Sequence, residues 1–349
     1  MRSLQEEQGP VVSPGLSSGS GSRRNFKLEG SMVRALAVAC VACSFPARLG
    51  AQTQPSVPAA PAIVVSGLDL PAAIASDGTG NLYVVDAGCA IPAAQGDCNV
   101  YKETLSGGRY SQSRVTSFDS KERPTSIAVD AGGNVYVGVT GKGLVKESPS
   151  GQAWAQSLVG CAFAKPTALA YDGKDTFFVF DAQTGHIYRE KATDTCATAA
   201  VVASPANVTA LAVDSCGDVY LAQSTGSAAI VRETPVMGGY AQSTVGSGMA
   251  GLIGVGVDAH GDVYSADVMG GVNVWVPSGR DYAEHNVMKG LSLSPIGPMA
   301  FDGANNFYFA EFPNSRIWKV SPSFPVPPAL ACGAPAAPFG GQATAAPQH

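Results

Sequence analysis

Residues 71–86 read PAAIASDGTGNLYVVD, and this stretch decides the fold because it returns five times. The copies are PTSIAVDAGGNVYVGV from Pro124, PTALAYDGKDTFFVFD from Pro166, VTALAVDSCGDVYLAQ from Val208, LIGVGVDAHGDVYSAD from Leu252 and IGPMAFDGANNFYFAE from Ile296. Each copy is an apolar run ending in Asp, then a turn through Gly or Asn, then a second apolar run with an aromatic. The anchoring aspartates, Asp77, Asp130, Asp172, Asp214, Asp258 and Asp302, are spaced by 53, 42, 42, 44 and 44 residues. An insertion from Cys89 to Cys98 lengthens the first interval. A fixed period of this size marks one supersecondary unit repeated along the chain.

Working outward, each unit adds two further segments rich in β-branched and aromatic residues. They read GLVKESP and AWAQSLVG in the second unit, and AAIVRETP and YAQSTVGS in the fourth. Gly, Pro, Ser and Asp bound these runs, and none shows sustained helical periodicity. Four short strands per unit predict an all-β fold, a six-bladed β-propeller of four-stranded blades over residues 62–322. The sixth unit supplies only three strands, at 298–302, 306–311 and Arg316–Val320. Ala62–Ser66, AIVVS, reads like the missing fourth, so an N-terminal strand is expected to complete the last blade. That closure leaves no open edge between first and last blades.

The motif Pro-x-x-Ile-Ala-x-Asp-x-x-Gly-Asn-x-Tyr-Val-x-Asp, complete at 71–86 and nearly so at 124–139, resembles the NHL repeat. Arg316-Ile317-Trp318-Lys319 resembles the strand that follows in that family. The resemblance covers residues 62–322 and implies a propeller. NHL propellers include binding modules, sensor domains and some lyases, so it does not fix an activity.

The chain has 349 residues with Lys+Arg 22 and Asp+Glu 27, and charged residues make up only 14%. At the N-terminus, Arg34 precedes the apolar run 35–45, ALAVACVACSF, and small residues follow up to Ala51. This is the layout of an export signal over residues 1–51. Ser22-Arg23-Arg24-Asn25-Phe26-Lys27-Leu28 resembles a twin-arginine motif with its last two residues reversed. Initiation at Met32 would instead leave an ordinary secretory signal, and both readings export the chain. Cleavage after Ala51 leaves a mature net charge of −8, since 1–51 hold six Lys/Arg and three Asp/Glu. Such a chain repels nucleic acid and anionic membrane surfaces, no run is long enough to span a membrane, and a monomer is expected. Residues 52–61 read as a linker. The Pro/Ala-rich tail at 323–349 reads as disordered.

Two residue sets are candidates for chemistry. The anchoring aspartates are expected to serve their turns, accepting backbone hydrogen bonds. The residue ending each second strand is Asp86, Val139, Asp181, Gln223, Asp267 or Glu311. The four carboxylates Asp86, Asp181, Asp267 and Glu311 are expected on one face toward the channel mouth. There they could bind Ca²⁺ through oxygen, a small polar ligand or a basic protein partner. Local pairing, for example Glu311 with Arg316, is the alternative. The aromatics Tyr83, Tyr136, Phe178, Tyr220, Tyr264 and Tyr308 share one strand position and read as packing between blades. Tyr110, Trp154, Tyr240 and Tyr282 recur near the outer strand.

Six cysteines lie beyond the signal, an even number that reads as disulfides in an exported chain. Cys89–Cys98 and Cys196–Cys216 are the expected pairs, with Cys161 and Cys332 left over. The histidines His186, His260, His285 and His349 fall at different repeat positions, and His260 sits in a tight turn. Lactonases and amidating lyases use six-bladed propellers. The several channel-facing histidines of the lyases are missing, and the Glu, Asn and Asp metal set of the lactonases finds no aligned match. The expected function is therefore an exported, non-catalytic binding scaffold acting through one face. The alternatives are a metal-dependent, lactonase-like hydrolase or lyase at the channel mouth and a cell-envelope structural protein.

Overall fold

The computed structural model describes residues 60–321, apart from 91–96, 120, 160–162, 192–198, 225–227, 280, 288–295 and 313. These belong to the compact unit Thr53–His349. Residues 1–51, read above as an export signal, most of the expected linker and the tail lie outside the described residues. No helix among the described residues is long and apolar enough to cross a membrane.

Strand β1 (Ala62–Ser66) opens the described chain. Blade one is β2 (Pro71–Ser76), β3 (Leu82–Asp86), β4 (Cys98–Ser106) and β5 (Arg109–Phe118). Blade two is β6 (Pro124–Val129), β7 (Val135–Val139), β8 (Gly143–Ser150) and β9 (Ala153–Val159). Blade three is β10 (Pro166–Tyr171), β11 (Thr176–Asp181), β12 (His186–Lys191) and β13 (Ala200–Ala203). Blade four is β14 (Val208–Val213), β15 (Val219–Gln223), β16 (Ala228–Val236) and β17 (Gly239–Met249). Blade five is β18 (Leu252–Val257), β19 (Val263–Asp267), β20 (Val272–Ser278) and β21 (Asp281–Asn286). Blade six is β22 (Ile296–Phe301), β23 (Phe307–Glu311), β24 (Arg316–Val320) and, on its outer edge, β1.

All six sheets are antiparallel meanders, and each inner strand packs on the next around the ring, β22 against β2 included. The N-terminal strand closes the ring as expected, with Ala62 opposite Lys319 and Ser66 opposite Arg316. The first two strands of blade six lie slightly N-terminal of the expected 298–302 and C-terminal of the expected start at 306. Asp302 and Asn306 are held in the turn between them, where Asp302 Oδ1 accepts the amides of Ala304 and Asn306.

That turn repeats in every blade and explains the anchoring aspartates. Asp130 Oδ1 accepts the amides of Gly132 and Asn134, and Asp214 Oδ1 accepts those of Cys216 and Asp218. Where the residue four places on is Asn, its amide returns to the second oxygen, as Asn81, Asn134 and Asn306 do at 2.7 Å. The strand tyrosine hydroxyl adds a further donor in three blades, from Tyr136, Tyr220 and Tyr308. The turn requires a left-handed residue, usually Gly. In blade six Asn305 takes that place with φ 61°, a conformation Asn tolerates better than other L residues.

Packing runs between blades rather than within them. Four strand tyrosines are buried, and the third strand lays a cation over each: Lys102 over Tyr83, Lys146 over Tyr136, Arg232 over Tyr220 and Lys319 over Tyr308, at 5.3–5.9 Å from the ring centroid. Tyr264 of blade five is half-buried. Such contacts contribute about 0.5–1 kcal/mol each where partly exposed. The outer aromatics reach back to the preceding blade. Tyr110 bonds the Tyr308 hydroxyl, Trp154 meets Tyr83 edge-on, and Tyr282 accepts from Arg232. They are half-buried blade clamps.

A buried glutamate follows the cation in the third strand. Glu103, Glu147 and Glu233 each accept from a glutamine of the outer strand, Gln112, Gln156 and Gln242. Cys89 and Cys98 form the expected disulfide across the blade-one insertion. Cys216 is disulfide-bonded as well, and its expected partner Cys196 lies outside the described residues. Cys161 and Cys332 also lie outside them.

Two outcomes follow. A chain starting at Gly67 loses β1 and exposes the β24 edge, so Tm is expected to fall by about 10 °C or more, with a shift to larger species in size-exclusion chromatography. Burial raises the Glu103 carboxyl above the ordinary range, against the opposing hydrogen bond from Gln112. A raised folded value means that its stabilising contribution is present at low pH and is lost as pH rises through that value. Glu103→Gln keeps the acceptor for Gln112 without the charge, so it should raise Tm at pH 7 and flatten the slope of Tm against pH.

Candidate active site

The channel holds a cavity of about 190 Å³ at the anchor-turn end of the inner strands. Ser76, Val129, Tyr171, Val213, Val257 and Phe301 line it, each the residue just before an anchoring aspartate. The wall is otherwise Ala, Val, Leu, Ile, Gly and Met, and no charged side chain lines it.

The four predicted carboxylates sit at the opposite end of the same strands. Asp86 pairs with Pro71, Asp181 with Pro166, Asp267 with Leu252 and Glu311 with Ile296, all at inner-strand starts. Each is engaged locally. Asp86 accepts the amides of Asp69 and Leu70, which deliver β2. Asp181 accepts those of Ala164 and Lys165, which deliver β10, and of Gln183. Asp267 accepts the amides of Met269 and Gly271 in its own turn. Glu311 faces Arg316 across the strand pair, yet its carboxylate accepts from Asn314 and from Trp318 Nε1. Asp86, Asp181 and Glu311 are buried, and Asp267 is half-buried. The structure does not gather the four into one ligand cluster.

The cluster that does form lies at the cavity end. Among the described residues, Asp258, His260 and Asp262 are the group of His, Cys or carboxylate side chains whose ligand atoms all lie within 4.8 Å of one another. They occupy the anchor turn of blade five, directly after the cavity-lining Val257. Asp258 is buried, and His260 and Asp262 are half-buried. Asp258 Oδ1 accepts the amides of His260 and Asp262 as its counterparts do. Its Oδ2 lies 3.1 Å from His260 Nδ1 and accepts from Asn305 Nδ2 at 2.9 Å. Asn305 belongs to the blade-six turn, and its Oδ1 takes the amide of Ala259. The left-handed position in blade six therefore carries a side chain that binds the blade-five turn.

Blade four shows what blade five lacks. Both have Asp where blades one, two and six have Asn. In blade four Arg232 pairs with Asp218. The register places Val274 opposite Tyr264, where the other five blades have Lys102, Lys146, Arg189, Arg232 or Lys319. Trp275 stands where four blades have the buried glutamate. It donates to Ser265 and packs against Gly246 of blade four, where a Cβ would fall 2.3 Å from its ring. Among the described residues, no hydrogen bond or ion pair reaches the Asp262 carboxylate. Burial, and then the neighbouring Asp258, push its pKa up to about 6, partly offset by His260. The sequence shows this site only as a break in the repeat: His at the ninth position, Asp at the eleventh and no cation in the third strand.

No family model and no curated protein sequence matches the chain. Solved structures do. A gluconolactonase from Xanthomonas campestris is 18% identical, with 76% of this chain and 89% of that one covered and a TM-score of 0.57. A structure described as a gluconolactonase candidate is 14% identical over 75% of this chain and 92% of its own, at TM-score 0.54. A PQQ-bound aldose sugar dehydrogenase from Streptomyces coelicolor is 15% identical over 76% and 99%, at TM-score 0.53. At these identities the likeness shows the six-bladed fold. Two of these neighbours are described as gluconolactonases and one as a sugar dehydrogenase, which speaks against the expectation of a non-catalytic binding scaffold without assigning an activity to this chain.

The role of the buried carboxylates can be measured directly. Asp181→Ala strands three backbone amides and should cost about 2–3 kcal/mol, lowering Tm by roughly 5–10 °C. Asp267→Ala, half-buried with both partners in its own turn, should cost less in the same thermal melts.

Proposed function

We propose that the chain is a lactonase-like hydrolase that opens a small, polar cyclic ester at the anchor-turn mouth of the propeller channel. The observation that carries this reading is the Asp258–His260–Asp262 group in the turn that follows the cavity-lining Val257. Opening an ester needs a group that polarises the carbonyl and one that accepts a proton from water. An imidazole beside two carboxylates, half-open to solvent, provides donors and acceptors for both. A sugar-dehydrogenase reading through pyrroloquinoline quinone has less support. That cofactor is a multiply charged carboxylate, and no Lys or Arg lines the cavity.

The repeats remain NHL-like in sequence on the motif at 71–86. Export to an oxidising compartment belongs to the same proposal, supported by the Cys89–Cys98 disulfide and the signal layout of 1–51.

A pH-stat assay over a panel of sugar lactones tests the reading. Hydrolysis above the buffer rate is expected, and His260→Ala should lower kcat/KM by about 100-fold or more. A panel in which no lactone opens faster than in buffer would remove the hydrolase assignment.

A further inference from the structure

We propose that Asp258, His260 and Asp262 bind one divalent transition-metal ion, held between the blade-five turn and Asn305 of blade six. The ion would serve the hydrolase as a Lewis acid, and only that catalytic role rests on the function proposed above.

Three observations support the site. The donor set is one imidazole and two carboxylates with ligand atoms within 4.8 Å; His260 Nδ1 lies 3.1 Å from Asp258 Oδ2 and 3.2 Å from Asn305 Nδ2, contacts that an ion bound at this nitrogen would replace. Neighbouring ligands each about 2.1 Å from a metal lie about 3.0 Å apart at right angles and about 3.4 Å apart in a tetrahedral site, so a small shift of the side chains admits the ion. The second observation is the missing counter-charge. Where blade four answers its turn carboxylate with Arg232, blade five has Val274, so a half-buried carboxylate next to another is left with His260 as its one basic neighbour in the turn. A bound cation fills that role. The third is rigidity. Asn305, 7% exposed, holds the Asp258 carboxylate from the next blade, as an outer-shell partner orients a ligand.

The imidazole sets the class of metal. Nitrogen with carboxylate suits Zn²⁺, Mn²⁺, Co²⁺ or Ni²⁺, whereas Ca²⁺ takes oxygen ligands. The Ca²⁺ expected from the sequence was assigned to the other face of the ring.

The test uses the full mature chain purified without chelator. Elemental mass spectrometry should find about one transition-metal ion per chain. After chelation, calorimetric titration with Zn²⁺ or Mn²⁺ should restore one saturable site, and Co²⁺ should give a visible absorption band. Asp262→Asn installs the residue found at that place in blades one, two and six, so it should fold while binding about 10- to 100-fold more weakly. His260→Ala should abolish the Co²⁺ band. Absence of a saturable site in the chelated protein, unchanged affinity in both variants, or preference for Ca²⁺ over Zn²⁺ would each overturn the proposal. Metal binding without lactone hydrolysis would support the site and sink the hydrolase reading. Full hydrolysis by the metal-free chain would keep the hydrolase reading and remove the ion's catalytic role.

Discussion

Ring closure is the constraint on which the structure depends. A single four-stranded blade has two broad faces, and both must be covered by neighbours. Six blades satisfy this only if the sixth meets the first. The apolar clusters show the consequence: Tyr83 and Val100 of blade one pack with Ile127 and Val137 of blade two, while Ile74 and Val84 pack with Tyr308 and Ile317 of blade six. The core is thus a set of seams between blades. The pairing of β1 with β24 places the first described strand in the last blade, so the seam at the join is secured by backbone hydrogen bonds as well as by side chains.

Within each seam the repeated turn and the strand tyrosine act together. The anchoring aspartate satisfies the turn amides, the tyrosine hydroxyl reaches that aspartate in three blades, and the cation covers the ring. The outer aromatic of the following blade closes over the same ring or its cation. Tyr110 illustrates this at the join, where its hydroxyl reaches both Gly80 of its own blade and Tyr308 of blade six. Most polar groups of the seam are therefore paired, Arg232 Nε being an exception, which limits the cost of burying them. A position that departs from this pairing carries a penalty that has to be met in another way.

The sequence made the fold legible because a propeller writes its architecture as a period. Strand order, blade number and the closing strand followed from six copies of one motif and one unmatched AIVVS. The fate of Asp86, Asp181 and Glu311 was not legible, because their partners are amides and side chains of irregular loops that obey no period. In the sequence His260 shows only as a histidine in a tight turn, at a repeat position that no other histidine shares. What distinguishes it lies in a different strand: Val274 and Trp275 replace the Lys/Arg–Glu pair seen at 102–103, 146–147, 189–190 and 232–233. Only the register between second and third strands brings that loss of charge to the Asp262 turn.

The repeats also serve as internal controls on what the blade-five turn does. The same turn is built with Asn at the eleventh position in blades one, two and six, where the side chain donates to the anchor and adds no charge. It is built with Asp in blade four, where an arginine neutralises it. Blade five combines the acid of one solution with the uncharged third strand of neither, and adds a histidine. A purely structural turn gains nothing from this, since half-burying an unpaired carboxylate beside a second one is unfavourable. The arrangement becomes favourable once a cation occupies it. Val257, which lines the apolar cavity together with residues of the other five blades, directly precedes the site in the chain and ties it to the anchor-turn end of the ring.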